Sequence, residues 1–172
     1  MNEVLKNIKE RRSIRKYKED MVPKEIIEKI VEAGMYAPSG MGMQSSIIIA
    51  ITNKNLRDKL SKLNAKIMGV DTDPFYGAPV VLVVLAKKDI PTHVYDGSLV
   101  MENLMLAANS LGIGSCWIHR AKEEFETEEG KEILKSLGIE DEYEGIGHCI
   151  LGYKDEEGNL KPRKDNFVYY ID

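Results

Sequence analysis

The stretch RRSIRKY, residues 11–17, carries a strong chemical signal. Four of its seven side chains are cationic, namely Arg11, Arg12, Arg15 and Lys16. Arginine offers planar, permanently charged donors that suit a phosphate, and Ser13 adds a hydroxyl and a backbone N–H. The segment therefore fits a phosphate monoester, although a short charge run taken alone is more often a solvated surface.

A second basic cluster strengthens this interpretation. The stretch KPRK, residues 161–164, lies near the other end of the chain, where the polypeptide could return to the first cluster. Two clusters of this kind could share one dianion, so we expect them to meet in the folded protein.

The overall composition shows that these cations are local. The chain has 172 residues, 43% of them hydrophobic and 30% charged, with 24 Lys and Arg against 28 Asp and Glu, a net charge of −4. This balance argues against a nucleic-acid partner. The length predicts one domain, residues 1–172. The sequence contains neither a spanning apolar run nor the h-region of a signal peptide, and its two cysteines make no disulfide framework, so we expect a cytoplasmic protein with no membrane contact.

The hydrophobic pattern predicts an α+β fold. Apolar spacing indicates helices around residues 4–10, 23–34, 56–63 and 98–111, and acidic helical stretches over 122–137. Runs rich in β-branched residues predict buried strands at 46–52 and 80–86, and a further strand at 145–153.

Two features predict a homodimer. The helix at 98–111 is apolar around most of its circumference, which a small domain can bury only with help from a second subunit. The C-terminal arm, about residues 154–172, ends in FVYYI and is too apolar for a disordered terminus. We expect the arm to pair with a sheet, either that of its own chain or that of the partner.

The loop APSGMGMQSS, residues 37–46, is a second candidate site. Pro38, Ser39, Gly40 and Gly42 form a flexible turn whose backbone could approach a flat ligand closely. An ordinary connection between helix and strand is the competing interpretation, and the loop alone does not decide between them.

Three other motifs do not support a site. Gly112 and Gly114 begin a G-x-G, but Trp117 occupies the third glycine position and the motif follows a helix, so the dinucleotide fingerprint is absent. There is no P-loop sequence. His148 and Cys149 are neighbours on a predicted strand and must face opposite sides, which argues against zinc with Cys116 and His119.

Four motifs together resemble the FMN-dependent nitroreductase family: RRSIRKY, APSGMGMQSS, ENLMLAANSLGIGSCWI and KPRK, in that order and over nearly the whole chain. The resemblance implies a mixed, mostly antiparallel sheet flanked by helices, in an intertwined homodimer with FMN at the subunit interface.

The resemblance also implies roles for individual residues. The FMN phosphate would be held by Arg11, Arg12, Ser13, Lys161 and Arg163. Arg15 would reach the N1 and O2 edge of the flavin, where a fixed cation stabilises the charge of the reduced ring. The partner subunit would contribute Pro38, Ser39 and Gly40. A backbone N–H of the segment Trp117, Ile118 and His119 would bind flavin N5.

The chain departs from the family pattern in the glycine loop. It keeps Gln44 but has Gly42, Ser45 and Ser46 at positions where the family commonly carries other residues. It also lacks the long inserted helices of larger members. We therefore expect an open, permissive pocket whose acceptor the sequence does not reveal.

The implied activity is an NAD(P)H oxidoreductase that reduces nitroaromatic, quinone or similar small acceptors by ping-pong hydride transfer. No side chain is assigned as an indispensable acid or base, because the flavin carries the chemistry. Flavin reduction, enone reduction and reductive dehalogenation remain alternatives on the same fold, as does a flavin-binding module without turnover.

Overall fold

The structure, a computed structural model, describes residues 1–171. This part of the chain contains six α-helices: α1 (Glu3–Glu10), α2 (Lys24–Met35), α3 (Lys54–Met68), α4 (His93–Ser110), α5 (Ala121–Glu126) and α6 (Glu128–Ser136). Its four strands are β1 (Ser46–Ile51), β2 (Val80–Lys87), β3 (Gly114–Ile118) and β4 (Tyr143–Gly152). Short 3-10 helices lie at Gly40–Gly42 and Asp165–Phe167.

The strands form one antiparallel sheet in the order β1-β2-β4-β3. Strand β2 lies at its centre, and its residues 80–86 are completely buried. Val80, Leu82 and Val84 pack on one face with α2 and α4, while Val81 and Val83 pack on the other with α3, α5 and α6. The continuous apolar run of β2 follows from this arrangement, because both faces of the strand are covered.

The α+β prediction, an antiparallel sheet between helices, is confirmed. The expected buried strands at 46–52 and 80–86 are present to within one residue. The only parallel pairing described is an isolated bridge between Ser13 and Ser115. Gly112 adopts φ 75° directly after α4, the left-handed conformation with which glycine ends a helix.

Two elements differ from the predictions. Helix α4 begins at His93 and not at Ser98. Its first five residues include Asp96 and Gly97 and show no apolar period, so the hydrophobic pattern does not detect them. Strand β3, Gly114–Ile118, lies where the hydrophobic pattern predicts no strand, because five residues give too little pattern to indicate one.

One surface of the isolated chain is unusually apolar. Val4, Leu5 and Ile8 of α1 are exposed, as are Tyr95 and Leu99 of α4. The accessible surface is 10845 Å², whereas a folded monomer of this mass exposes about 8,500 Å². An excess of about 2,300 Å² is what a chain that buries a large obligate interface would have. The homodimer remains a prediction that this surface supports.

The C-terminal arm adds no strand to its own sheet over the described residues. An isolated bridge joins Lys154 to Tyr17, and in the described residues after it the chain forms no strand. Phe167, Tyr169 and Tyr170 are exposed. Pairing with the chain's own sheet is therefore not observed, and packing on a partner stays a prediction. Asp172 lies outside the described residues. In residues 1–171, no helix is both long enough and apolar enough to cross a membrane.

The exposed face of α4 can be tested with Leu99, whose side chain is 44% exposed. We expect Leu99→Glu to weaken the homodimer by about 3 kcal/mol, roughly a hundredfold in Kd, because dimerisation would bury an unpaired charge. Sedimentation equilibrium measures this. Lys62→Glu, on the exposed side of α3, is the matched control and should leave the dimer intact. Equal dimer stability in the two variants would contradict the predicted interface.

Candidate functional site

The two basic clusters come together around one cavity of about 410 Å³. Five cations and Ser13 line it, namely Arg11, Arg12, Arg15, Lys161 and Arg163, together with Glu156, Glu157, Gly158 and Asn159. The cations outnumber the carboxylates by five to two, so the cavity favours an anion. The expectation that the two basic clusters meet in the folded chain is confirmed, because residues of both clusters line this cavity.

The first cluster is held against the edge of the sheet. Arg11 ends α1, and its N–H donates to the carbonyl of Asn7. The Ile14 N–H then donates to the Ser115 carbonyl of β3 at 2.9 Å, while the Ile14 side chain is buried. Because side chains alternate along an extended segment, burial of Ile14 turns Ser13 and Arg15 toward the opposite side.

The second cluster returns beside the first through paired backbone groups. The Lys18 N–H donates to the Tyr153 carbonyl, and the Asp155 N–H donates to the Lys16 carbonyl, both at 3.0 Å. Gly158 then passes directly over Arg12. A Cβ on this glycine would lie 2.3 Å from the Arg12 Cβ, so only glycine allows the approach.

Two details of the cavity were not predicted from the sequence. Glu156 Oε1 accepts a hydrogen bond from the Arg15 N–H at 2.5 Å. A carboxylate thus fixes the backbone of Arg15, from which the guanidinium extends. The Nη1 of Arg12 donates to the carbonyls of Lys9 and Arg11, which occupies part of its guanidinium. Glu156 lies in the acidic run DEEG, which gives no sequence signal for such a contact.

The glycine loop lies at a different cavity, of about 370 Å³, which Pro38, Ser39, Gln44 and Ser46 help to line. The single chain therefore does not bring Pro38, Ser39 and Gly40 to the basic cavity. At Gly40 a Cβ would lie 2.3 Å from the hydroxyl of Thr92, which explains the glycine.

Asp96 of α4 organises this loop and was not predicted. Its carboxylate, 4% exposed, accepts the Gly40 N–H at 2.9 Å, the Ser45 hydroxyl at 2.8 Å and the Thr92 hydroxyl at 3.1 Å. Burial by itself raises the pKa of Asp96, but these donors outweigh it, so that the pKa lies below its usual value. The anionic form therefore holds the loop at neutral pH.

The third predicted segment lies at the end of β3. The Trp117 indole packs against Gly147, where a Cβ would come within 2.4 Å of Nε1. His119 is exposed, and its carbonyl accepts from Asn64 at 2.9 Å. Within residues 1–171 the N–H groups of His119 and Arg120 donate no hydrogen bond. They are available to an external acceptor, about 13 Å along the strand from Ser115.

The buried thiols and the phenol near the basic cavity are not activated. Burial raises the pKa of Cys116, an effect that Arg15 and the Ser13 hydroxyl only partly offset. Burial also raises the pKa of Cys149 and of Tyr17, whose hydroxyl donates to the Ile14 carbonyl. All three groups are therefore neutral at pH 7. Among the described residues, no cluster of three His, Cys, Asp or Glu side chains could hold a metal ion.

This combination defines a class of protein: an α+β domain that presents a cationic cavity of about 410 Å³ and, in its described residues, backbone N–H groups without an acceptor at the end of the edge strand. The chain belongs to the nitroreductase family, whose model matches residues 8–73 and 68–153. The resemblance inferred from the sequence motifs is confirmed.

Individual relatives agree with this assignment. A protein of Archaeoglobus fulgidus, provisionally named as an NADH dehydrogenase or NAD(P)H nitroreductase, is 34% identical over 170 residues, 97% of this chain and 94% of the relative. A Methanothermobacter thermautotrophicus protein with the same name is 34% identical over 124 residues, 67% of this chain and 60% of the relative. The crystal structure of a Bacteroides fragilis nitroreductase with bound FMN matches with a TM-score of 0.89, 31% identity and full coverage of both chains.

The contacts of Asp96 lead to a prediction about pH. Because the folded pKa is lowered, the stabilisation is present above the unfolded value near 3.8 and is lost as the pH falls through the folded pKa. We expect Asp96→Asn to lower the free energy of unfolding by about 1–3 kcal/mol at pH 7, with a smaller difference from the wild type below pH 3. Urea denaturation at both pH values measures this. Asp20→Asn, at an exposed site, is the control, and a pH-independent loss in Asp96→Asn would contradict the assignment.

Proposed function

We propose that the chain is an FMN-dependent NAD(P)H oxidoreductase that reduces nitroaromatic, quinone or similar small acceptors by a ping-pong scheme. The observation that carries the proposal is the convergence of the two basic clusters beside Ser115, on the strand whose other end offers the free N–H groups of His119 and Arg120. A ligand with a phosphate at one end and a ring at the other matches this layout. FMN is bound in the related B. fragilis structure.

The phosphate end has the donors that a dianion needs. Arg11, Arg12 and Ser13 contribute from the first cluster, and Lys161 and Arg163 from the second. Charge-assisted bonds of this kind are about twice as strong as neutral ones. The carboxylates of Glu156 and Glu157 line the same cavity, and the contact of Glu156 with the Arg15 N–H keeps one of them engaged.

At the end of the site proposed for the flavin ring, the chain offers the charge of Arg15 and the backbone N–H groups of the Trp117–His119 segment. Arg15 has an exposed side chain and lines the cavity, so it can extend along the ligand to the N1 and O2 edge of the flavin. The Trp117–His119 segment would place a backbone N–H at N5. Bound FMN would supply the redox chemistry, accepting hydride from NADH or NADPH and passing it to the acceptor. The protein's residues bind, orient and tune the flavin.

The glycine loop makes the homodimer part of the proposed site. Pro38 and Ser39 line a separate cavity in the single chain, and Gly40 follows them in the loop, so all three can reach the flavin only from the partner subunit. Gly42 has φ 67° and offers no side chain toward a substrate. With Ser45 turned in to Asp96, the loop leaves an open space that favours small, flat acceptors of varied structure.

An absorption spectrum tests the proposal directly. We expect the purified protein, or the protein reconstituted with FMN, to show flavin bands that bleach under anaerobic conditions with NADH or NADPH. Addition of a quinone or nitroaromatic should restore the bands. Tight FMN binding without bleaching would indicate a flavin-binding module without turnover, and failure to bind FMN would contradict the proposal.

The phosphate assignment is tested with a double variant. Arg11→Ala with Arg163→Ala should weaken FMN binding by a hundredfold or more, since two charge-assisted hydrogen bonds are worth about 3–6 kcal/mol together. Flavin fluorescence measures the affinity, and sedimentation should show an unchanged oligomeric state. Lys16→Ala is the matched control, because Lys16 belongs to the same heptapeptide but pairs with Asp155 at 2.9 Å outside the cavity. Full flavin occupancy in the double variant would contradict the assignment.

A further inference from the structure

The junction between β3 and α5 has a strained backbone. The backbone of Arg120 has φ 76° and ψ 12°. This is the left-handed conformation, which residues other than glycine, asparagine and aspartate seldom adopt. Such conformations persist only where the surrounding structure fixes them, and they concentrate at functional sites. The contacts that fix this junction are therefore informative.

A buried, hydrogen-bonded pair of side chains, His148 and Glu124, lies behind the junction. His148 Nε2 is 2.7 Å from Glu124 Oε2, and both side chains are completely buried. The other ring nitrogen, Nδ1, lies 3.4 Å from the Ile118 carbonyl. The Phe75 ring packs on the imidazole at a centroid distance of 5.1 Å. The pair thus links α5 and β4 to the last residue of β3.

Two further contacts complete the set. Asn64 of α3 is completely buried and donates to the His119 carbonyl at 2.9 Å. Gly145 of β4 lets Ala121 approach, since a Cβ there would lie 2.2 Å from the Ala121 carbonyl carbon. Residues of α3, β4 and α5 therefore contact the backbone of residues 118–121.

Stability alone does not explain this arrangement. A buried polar pair contributes little net stability, because its hydrogen bond is offset by the loss of hydration, and apolar residues often do as well. Glu124 Oε1 and Asn64 Oδ1 are buried and have no hydrogen-bond partner in the described part of the chain, which is a further destabilising feature. The network orients backbone groups at some expense of stability.

These contacts engage the backbone carbonyls of residues 118–120. The carbonyls of Ile118, His119 and Arg120 face His148, Asn64 and the Glu124 N–H respectively. Within the described residues, the N–H groups of His119 and Arg120 have no acceptor. We propose that Glu124, His148 and Asn64 are positioning residues that aim these N–H groups at the ring of the bound flavin. This inference rests on the proposed function.

The test uses Asn64→Leu and Glu124→Gln, in the full chain reconstituted with FMN labelled with ¹⁵N at N5. Asn64→Leu removes the donor to His119 with little change of shape, and Glu124→Gln replaces the carboxyl group that contacts His148 Nε2. Ser61→Ala is the matched control, since Ser61 is a buried polar residue on the same helix that bonds to Asp73 and not to the junction. The readouts are the N5 chemical shift, the midpoint potential of the flavin and the affinity for FMN.

We expect both variants to bind FMN within roughly tenfold of the wild type, because the phosphate cavity is untouched. In both, the N5 shift should move toward that of FMN free in water and the midpoint potential should change, while Ser61→Ala changes neither. Wild-type shifts and potentials in the two variants would overturn the inference and leave the proposed function standing. Loss of the fold in both variants, with Ser61→Ala intact, would also overturn it, since the network would then serve folding. Failure of the wild type to bind FMN would instead refute the proposed function.

Discussion

The hydrogen bond from the Ile14 N–H to the Ser115 carbonyl is the constraint on which the candidate site depends. It attaches a highly charged segment to the edge of an apolar sheet, where electrostatic repulsion among Arg11, Arg12 and Arg15 would otherwise drive the segment into solvent. Burial of the Ile14 side chain reinforces the attachment. The return segment, residues 153–158, then pairs with the first, and the cations of both ends surround one cavity.

Three carboxylates, the buried Asp96 and Glu124 and the exposed Glu156, hold the surrounding loops. Asp96 holds the glycine loop through three donors, Glu156 holds the Arg15 backbone, and Glu124 acts through His148 on the end of β3. A carboxylate suits this use because it accepts several hydrogen bonds at once. Where a bound cofactor performs the chemistry, ionisable side chains are not needed as acids or bases, so they can serve to position loops and backbone groups.

Much of the fold could be predicted because its signals are local. The buried strand at 80–86 is a continuous β-branched run, and α2 has a clear apolar face. The first turn of α4 and the short strand β3 were missed because neither carries an apolar period. The candidate phosphate residues could be named from residue type and family motif, whereas Asp96, Glu156, Glu124 and Asn64 could not, since each is an ordinary polar residue until its partner is known.

The sequence by itself determined the α+β class, the family and the two cationic clusters, because hydrophobic period, motif order and side-chain charge are properties of short stretches. Only the tertiary structure decided that the clusters meet beside Ser115, that the glycine loop lies away from them, and that the N–H groups of His119 and Arg120 have no acceptor among residues 1–171. The physical reason is that these facts depend on contacts between residues up to 150 positions apart. Such contacts depend on how the helices pack on the sheet, and local sequence patterns do not specify that packing.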